Sequence, residues 1–463
     1  MEHWIPLAYF IFIFVLAFKQ KIPGLSGQAF LNDYVLAGRQ VSLFAFVATL
    51  VTTAYGWVLG IGELYYEYGI AAWLFLSLPY SASALVFAFV IAPKMGKTSF
   101  LTLSAMLASV YDKKTALIGT FWFLFMSIPA AYLLMTAQVA NYLWEIGIPA
   151  GILAAALFSF LYLYHGGFKA VLRTDVLQFF FMFAGFALLS FFLWYEHQGE
   201  VWQALPTAKT SLSADLEFSW TYLIAWYLIA LITFVDPAYY HRLFALSDGK
   251  RAKKGILWAV LAWTCFDVFA AWTAIHAIGL LEPSTDSAVI YFELSSMVMP
   301  TWAQGIFTAG LLACIMSTSD SFIFYSAVSL KQDILSYFLP KKQNDKRVLT
   351  LCIAFIAVVS ASLAWAYRND TVVTLFLDLA PIGTASMLLP MMTIYFPKFQ
   401  ISAGATFVHC VFIGAFTMLY QFLPFWEDFR NAMEVSNIFV GLLVSLLFYV
   451  AVHLKRGQQK SPY

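Results

Sequence analysis

Ser317, Thr318, Ser319, Asp320 and Ser321 stand in succession inside an otherwise apolar run, Gly310 to Ser329. Five oxygen-bearing side chains at membrane depth are costly unless they bind something. On a helix, Ser317, Asp320 and Ser321 share one face, at spacings of three and four. Thr318 turns about 100° away and lies one turn beyond Cys314. Such a helix presents hard oxygen ligands in two directions, which suits an alkali cation. The pattern predicts a sodium site.

Two other stretches interrupt their apolar surroundings. Thr49, Thr52, Thr53, Gly56, Gly60 and Gly62 crowd the middle of FVATLVTTAYGWVLGIGELYYEYG. Glycine and β-branched polar residues disfavour continuous helix. Unwinding at Val51–Gly56 would free backbone carbonyls for a cation, tolerable where they line a cavity. A small-residue packing face explains the same glycines equally well, since Gly56 and Gly60 have GxxxG spacing. In TFVDPAYYHR, Pro237 removes a helix hydrogen bond and biases Asp236 away from helical geometry. A carboxylate beside such a break is expected to meet substrate or ion. The alternative is an inner-end salt bridge from Asp236 to Arg242 or His241.

Asp175, Asp267, Asp378 and Glu63 also lie at membrane depth, where a carboxylate reads as functional by default. Asp175 has a structural alternative, pairing with Arg173 or Lys169. Glu63 and Glu67 lie near an outer end, within reach of water. His276 and His409 are expected to be hydrogen-bonded packing residues. The four cysteines, Cys265, Cys314, Cys352 and Cys410, all lie in apolar runs and read as packing residues rather than disulfides or metal ligands. No phosphate-binding glycine loop, HExxH or GxSxG is present, so an enzyme is not expected.

Composition frames these motifs. The chain has 463 residues, 62% hydrophobic and 11% charged, and a mean hydropathy of +0.78. A soluble domain carries about 25% charged residues. The chain is therefore expected to be a polytopic protein with the lipid bilayer as partner, and no basic tract suggests nucleic acid. Spanning-length runs fall at 4–18, 41–66, 70–93, 115–142, 147–165, 172–195, 218–244, 255–280, 303–330, 347–367, 371–396, 401–424 and 435–454, thirteen in all. Glu2 precedes the first run, and Lys19 and Lys21 follow it, which predicts an uncleaved helix with its N-terminus outside. An odd count puts the C-terminus inside. Of the 26 Lys and Arg residues, only Lys209, Arg368 and Arg430 then fall outside. The rest, including Arg39, Lys97, Arg242, Lys331, Lys341, Lys342 and Lys460, fall inside, as the positive-inside bias requires. The gaps 197–216 and 281–302 are expected to be outside loops, and the tail after His453 is short and basic. No strong repeat is visible. The second and seventh helices both carry breaks, a trace that inverted repeats leave.

Four stretches together resemble the sodium/solute symporter family, the sodium-coupled carriers of sugars, proline, sialate and pantothenate. They are Leu36-Ala37-Gly38-Arg39; Gly166-Gly167-Phe168-Lys169-Ala170-Val171 with Thr174-Asp175-Val176-Leu177-Gln178; Tyr240-His241-Arg242-Leu243-Phe244-Ala245; and Ala313 to Ser321. The resemblance implies an all-α membrane fold of five-plus-five inverted repeats, leucine-transporter-like. Repeat one would cover 41–196 and repeat two 217–396, with a peripheral helix and inner loop in 1–40 and two peripheral helices in 397–463. It implies a main sodium site from the carbonyls of Val51, Ala54 and Cys314 and the hydroxyls of Ser317 and Thr318. In some members a second sodium site would use Asp175, Ser317, Asp320 and Ser321. Thr52, Thr53, Ala54 and Tyr55 stand where the family often has serine or aspartate, which adds Thr53 as a contact. Sugar carriers have an amide near the Asp236 position and a lysine near the Asp267 position. Acids at both positions argue against a neutral sugar and suit a substrate bearing an amine or other cation, or a proton-coupled step.

The expected function is sodium-coupled symport of a small organic solute by alternating access, with Na+ as the coupling ion. Trp57, Tyr80, Asp236, Tyr239 and Asp267 are the remaining candidate substrate contacts. The competing readings are a proton-coupled symporter of the same fold and a non-transporting receptor or channel-like relative. A multi-pass plasma-membrane protein, bacterial and inner-membrane, is expected, as a monomer or weak homo-oligomer.

Overall fold

The computed structural model describes residues 3–18, 27–95, 100–197, 199–212, 220–246, 249–282, 289–339, 345–427, 430 and 436–459. Lys19, Lys21, Lys97, Lys341, Lys342 and Lys460 of the charge pattern lie outside them. Every described element is helical or a turn. In apolar surroundings a helix satisfies its own backbone groups, so departures from helix mark where another partner exists.

The apolar α1 (Trp4–Phe18) comes first, then α2 (Gly27–Leu36). A turn with positive φ at Ala37, Gly38 and Arg39 redirects the chain by 89° into α3 (Leu43–Ala54). Ser42 caps α3, accepting from the Ala45 amide at 3.1 Å. The chain breaks at residues 55–57 and resumes as α4 (Val58–Tyr68). Helix therefore persists through Val51–Ala54, and the break falls later than expected. The threonines do not unwind α3: Thr52 Oγ1 donates back to the Ala48 carbonyl at 3.0 Å. Next come α5 (Ala72–Phe75), α6 (Ser77–Val86), a π turn at Phe87–Ile91 and α7 (Ala92–Met95).

After α8 (Leu103–Val110), Asp112 caps α9 (Lys113–Met126), accepting from Thr115 N at 2.7 Å. That amide holds the Asp112 carboxyl below its ordinary range. Pro129 separates α9 from α10 (Ala130–Trp144). The long α11 (Ile148–His197) bends at Gly167, at φ 59°. The loop expected at 197–216 carries two short helices, α12 (Glu200–Ala204) and α13 (Thr207–Thr210). Then α14 (Trp220–Ile229) tightens into a 3₁₀ turn, Ala230–Phe234, and stops. Pro237 starts α15 (Pro237–Phe244).

The second half continues with α16 (Gly249–Leu280), α17 (Ile290–Val298) and α18 (Thr301–Ser329). A π turn, Leu330–Leu335, leads to α19 (Ser336–Phe338), followed by α20 (Lys346–Ala366), α21 (Val372–Tyr395), α22 (Ala403–Phe422) and α23 (Asn437–Gln459). α17 lies in the second expected loop because its apolar side, Tyr291, Phe292 and Leu294, is buried. Among the described residues, ten helices are long and apolar enough to cross a membrane, or eleven if the bent pair at Ala29–Ala54 is one span. The first, second and fifth expected spans account for the difference. Trp4–Phe18 and Ile148–Leu161 are short, and the second is broken.

The centre of the molecule is α18, buried along almost its whole length. It packs on α1, α3, α10, α11 and α20. Two charges counted as inner flanks are also interior: Arg242 is 2% exposed and Lys331 1%. His276 Nδ1 meets the Trp272 carbonyl at 2.7 Å, and His409 Nε2 meets Ser445 Oγ at 2.8 Å, the packing roles expected of them. Cys265, Cys314, Cys352 and Cys410 are all unbridged.

At Gly167 a Cβ would meet the Tyr34 ring at 2.7 Å, and φ is positive. Tyr34 in turn donates to the Leu163 carbonyl at 3.0 Å. Gly167→Ala is expected to lower stability by roughly 1–3 kcal/mol. Gly404→Ala, with nothing within 4 Å of its added Cβ, is the control. Thermal unfolding in detergent should separate the two variants, and equal midpoints would contradict this reading of the bend.

Candidate ion and substrate site

The end of α3 and the middle of α18 meet at Gly56 and Thr318. A Cβ on Gly56 would lie 2.1 Å from Thr318 Oγ1, so only glycine permits the approach. The last turn of a helix leaves its carbonyls unpaired. Here Val51 O still accepts from Tyr55 N, at 3.3 Å, while Thr318 takes up the next two. Thr318 Oγ1 donates to Thr53 O at 2.9 Å and lies 3.4 Å from Thr52 O and 3.2 Å from Cys314 O. The break and the close-packing glycine are thus two parts of one contact. Ser317 Oγ donates to Asp175 Oδ1 at 2.7 Å and lies 2.8 Å from Thr52 Oγ1. Between α3 and α18 the hydroxyls of Ser317 and Thr318 thus converge with the carbonyls of Thr52, Thr53 and Cys314, Thr52 and Thr53 lying between Val51 and Ala54 in the chain.

The second face of α18 is divided. Asp175 is fully buried on α11 and accepts from Thr49 as well as Ser317. Arg242 reaches this group from α15. Its Nη2 lies 3.8 Å from Asp175 Oδ2 and donates to Ser321 Oγ at 2.7 Å and Thr53 Oγ1 at 2.5 Å. Nε donates to Thr49 Oγ1 at 3.1 Å, and Nη1 to the Ala238 carbonyl at 3.0 Å. Asp320 is elsewhere, accepting from Ser159 at 2.6 Å. Asp175, Ser317 and Ser321 come together, and Asp320 does not join them. Neither alternative partner serves Asp175: Lys169 pairs with Asp33, and Arg173 is exposed.

The six candidate substrate contacts, Thr53, Trp57, Tyr80, Asp236, Tyr239 and Asp267, all line one cavity of about 190 Å³. Ala54 lines it too. Pro237 positions Asp236, whose Oδ1 accepts from Ala238 N at 2.8 Å as the cap of α15. Among the described residues Asp236 forms no salt bridge, so the inner-end pairing with Arg242 or His241 is replaced by a helix cap. Asp267 on α16 accepts from the Tyr55 hydroxyl, which is also 3.0 Å from Trp263 O. Trp57 stacks on Phe376 at 5.1 Å and on Trp226 at 6.1 Å. The Tyr80 and Tyr239 hydroxyls are buried with no hydrogen-bond partner among the described residues.

Reading the sequence missed Tyr55, Trp263 and Arg242 as site residues. For Arg242 a signal existed: an arginine six residues after the carboxylate of a proline break, on a helix too short to place it at an interface. Asp378 lies apart, held by Gln421 at 2.8 Å and Tyr367 at 3.3 Å.

The sequence model of the sodium:solute symporter family matches residues 34–409. The chain belongs to that family. It is a sodium-coupled solute symporter, not an enzyme, and a multi-pass integral membrane protein. It is 25% identical over 411 residues to the sodium/pantothenate symporter of Escherichia coli K12, covering 83% of each chain. It is 23% identical over 457 residues to sodium/proline symporter 2 of Staphylococcus saprophyticus, covering 91% of this chain and 81% of that one. The solved structure of a Na+-coupled sialic acid symporter, substrate-bound and outward-open, matches with a TM-score of 0.78 at 15% identity, covering 96% and 98% of the two chains. That likeness establishes the fold, the leucine-transporter type with paired inverted repeats.

In this symporter, Thr318→Ala removes the hydroxyl that meets the α3 carbonyls. Losing one contact to an ion is worth about 1.5–3 kcal/mol, or a 10- to 100-fold higher sodium requirement. Sodium titration of thermal stability should show that shift while the variant remains folded. An unchanged midpoint would place the ion elsewhere.

Proposed function

We propose that this symporter imports a small organic solute carrying an ammonium or other cationic group, driven by sodium bound between α3 and α18. The observation that carries the reading is the charge of the cavity. Asp236, Asp267 and Arg242 all line it, and the guanidinium of Arg242 is already engaged by Asp175, Thr49, Thr53 and Ser321, which leaves two carboxylates to the solute. A cationic group on the ligand would pair buried carboxylates that the protein leaves without a cation of their own. Trp57, Tyr80, Tyr132, Tyr239 and Trp263 give the aromatic walls that suit an alkylammonium. The unpartnered hydroxyls of Tyr80 and Tyr239 can serve polar atoms on the same solute. Proline, named for one relative, is itself an amine.

Sodium enters from outside, favoured by a negative interior at about 2.3 kcal/mol per charge per 100 mV. Bound at the α3 terminus, it holds the break that also forms one cavity wall through Thr53, Ala54 and Trp57. Ion and solute then stabilise the same conformation, so each raises the other's affinity equally. Alternating access would move the two repeats, 41–196 and 217–396, around the cavity. The relatives place such a protein in a bacterial plasma membrane.

A thermal-shift screen of amines, amino acids, sugars and carboxylates, with and without sodium, should pick out amine-bearing compounds that act only with sodium. Asp236→Asn or Asp267→Asn should weaken the best of them at least about tenfold, the lower range for a hydrogen bond to a charged group. Stabilisation by neutral sugars alone would contradict the proposed substrate class.

A further inference from the structure

We propose that the Arg242 guanidinium is a tethered cation standing in the second ion position, so that each chain binds a single sodium ion. This rests on the chain being sodium-coupled, not on the proposed substrate class.

The oxygens implied for a second sodium do not fit one. Three of the four, from Asp175, Ser317 and Ser321, converge, but a positive charge is already among them. Arg242 Nη2 donates to Ser321 Oγ at 2.7 Å and lies 3.8 Å from Asp175 Oδ2. Nε donates to Thr49, which donates on to Asp175. The carboxylate of Asp175 therefore accepts two hydroxyls and faces one guanidinium, its full complement of charge. The fourth oxygen donor, Asp320, is turned onto Ser159 on the first half of α11, and its other oxygen has no partner.

The guanidinium is also held firmly. Arg242 is 2% exposed, its Nη1 bonds the Ala238 carbonyl of its own helix, and Pro237 fixes where that helix begins. A sodium ion beside it would place two positive charges in contact in a low-dielectric interior, against one carboxylate. The face carrying Thr318 has no such competitor. It meets carbonyls, not a charged group. Ser317 links the two positions, since its hydroxyl donates to Asp175 and lies 2.8 Å from Thr52 Oγ1 at the end of α3. The fixed cation also ties α15 to α3, α11 and α18. The second position thus acts as a permanent strut.

Equilibrium binding of radioactive sodium to the purified full-length chain tests this without knowing the solute. The expected result is one saturable site per chain, lost in Thr318→Ala. Arg242→Gln, which removes the tethered charge, should bind a second sodium ion that Asp175→Asn removes again. Two sites in the natural chain, or one that survives Thr318→Ala, would overturn the proposal. So would a folded Arg242→Gln protein that still binds one. If Arg242→Gln does not fold, the count for the natural chain decides the question.

Discussion

Interrupting a helix inside a membrane releases carbonyls that no water can satisfy. That constraint organises this protein. α3 stops at Ala54, and the carbonyls it frees are met by one hydroxyl, that of Thr318. The contact requires glycine at position 56, because any Cβ there would collide with Thr318. It also requires that α18 stay straight and buried, so that Thr318 and Cys314 keep their one-turn spacing. The polar run Ser317–Ser321 is therefore the surface on which the broken span closes.

The second break serves the other side of the cavity. Pro237 ends one helix and begins another, leaving Asp236 as a cap at the cavity and Arg242 further along the short α15, lining the same cavity. One device thus sets a carboxylate in the cavity wall and a guanidinium beside Asp175. The two breaks lie across the cavity from each other, joined by Thr53, whose hydroxyl accepts from Arg242 and whose carbonyl accepts from Thr318.

Much of this was legible in the sequence. Hydropathy located ten of the thirteen expected spans, and the oxygen-rich run and the Asp-Pro break lie where α3 meets α18 and where α15 begins. The six residues offered as substrate contacts line a single cavity. What was not legible depends on register and rotation. The threonines before Gly56 suggested unwinding, but Thr52 bonds its own helix and the break moved to residues 55–57. Asp320 shares a helical face with Ser317 and Ser321 by spacing, yet its side chain bends to a nearer hydroxyl, Ser159. Arg242 and Lys331 were counted as flanking charges, because burial of a cation depends on partners supplied from distant helices. Short helices such as α17 were read as loops, since burial of a nine-residue apolar face shows only against its neighbours.

The central claim is that sodium binds where α3 ends against α18. Hydrogen exchange of the purified protein, with sodium replaced by potassium in the reference, tests it most directly. Sodium should slow exchange of amides around the break at residues 55–57 and in the adjoining turns of α3 and α18, and Thr318→Ala should abolish that protection. Protection confined to other helices, or none at all, would contradict it.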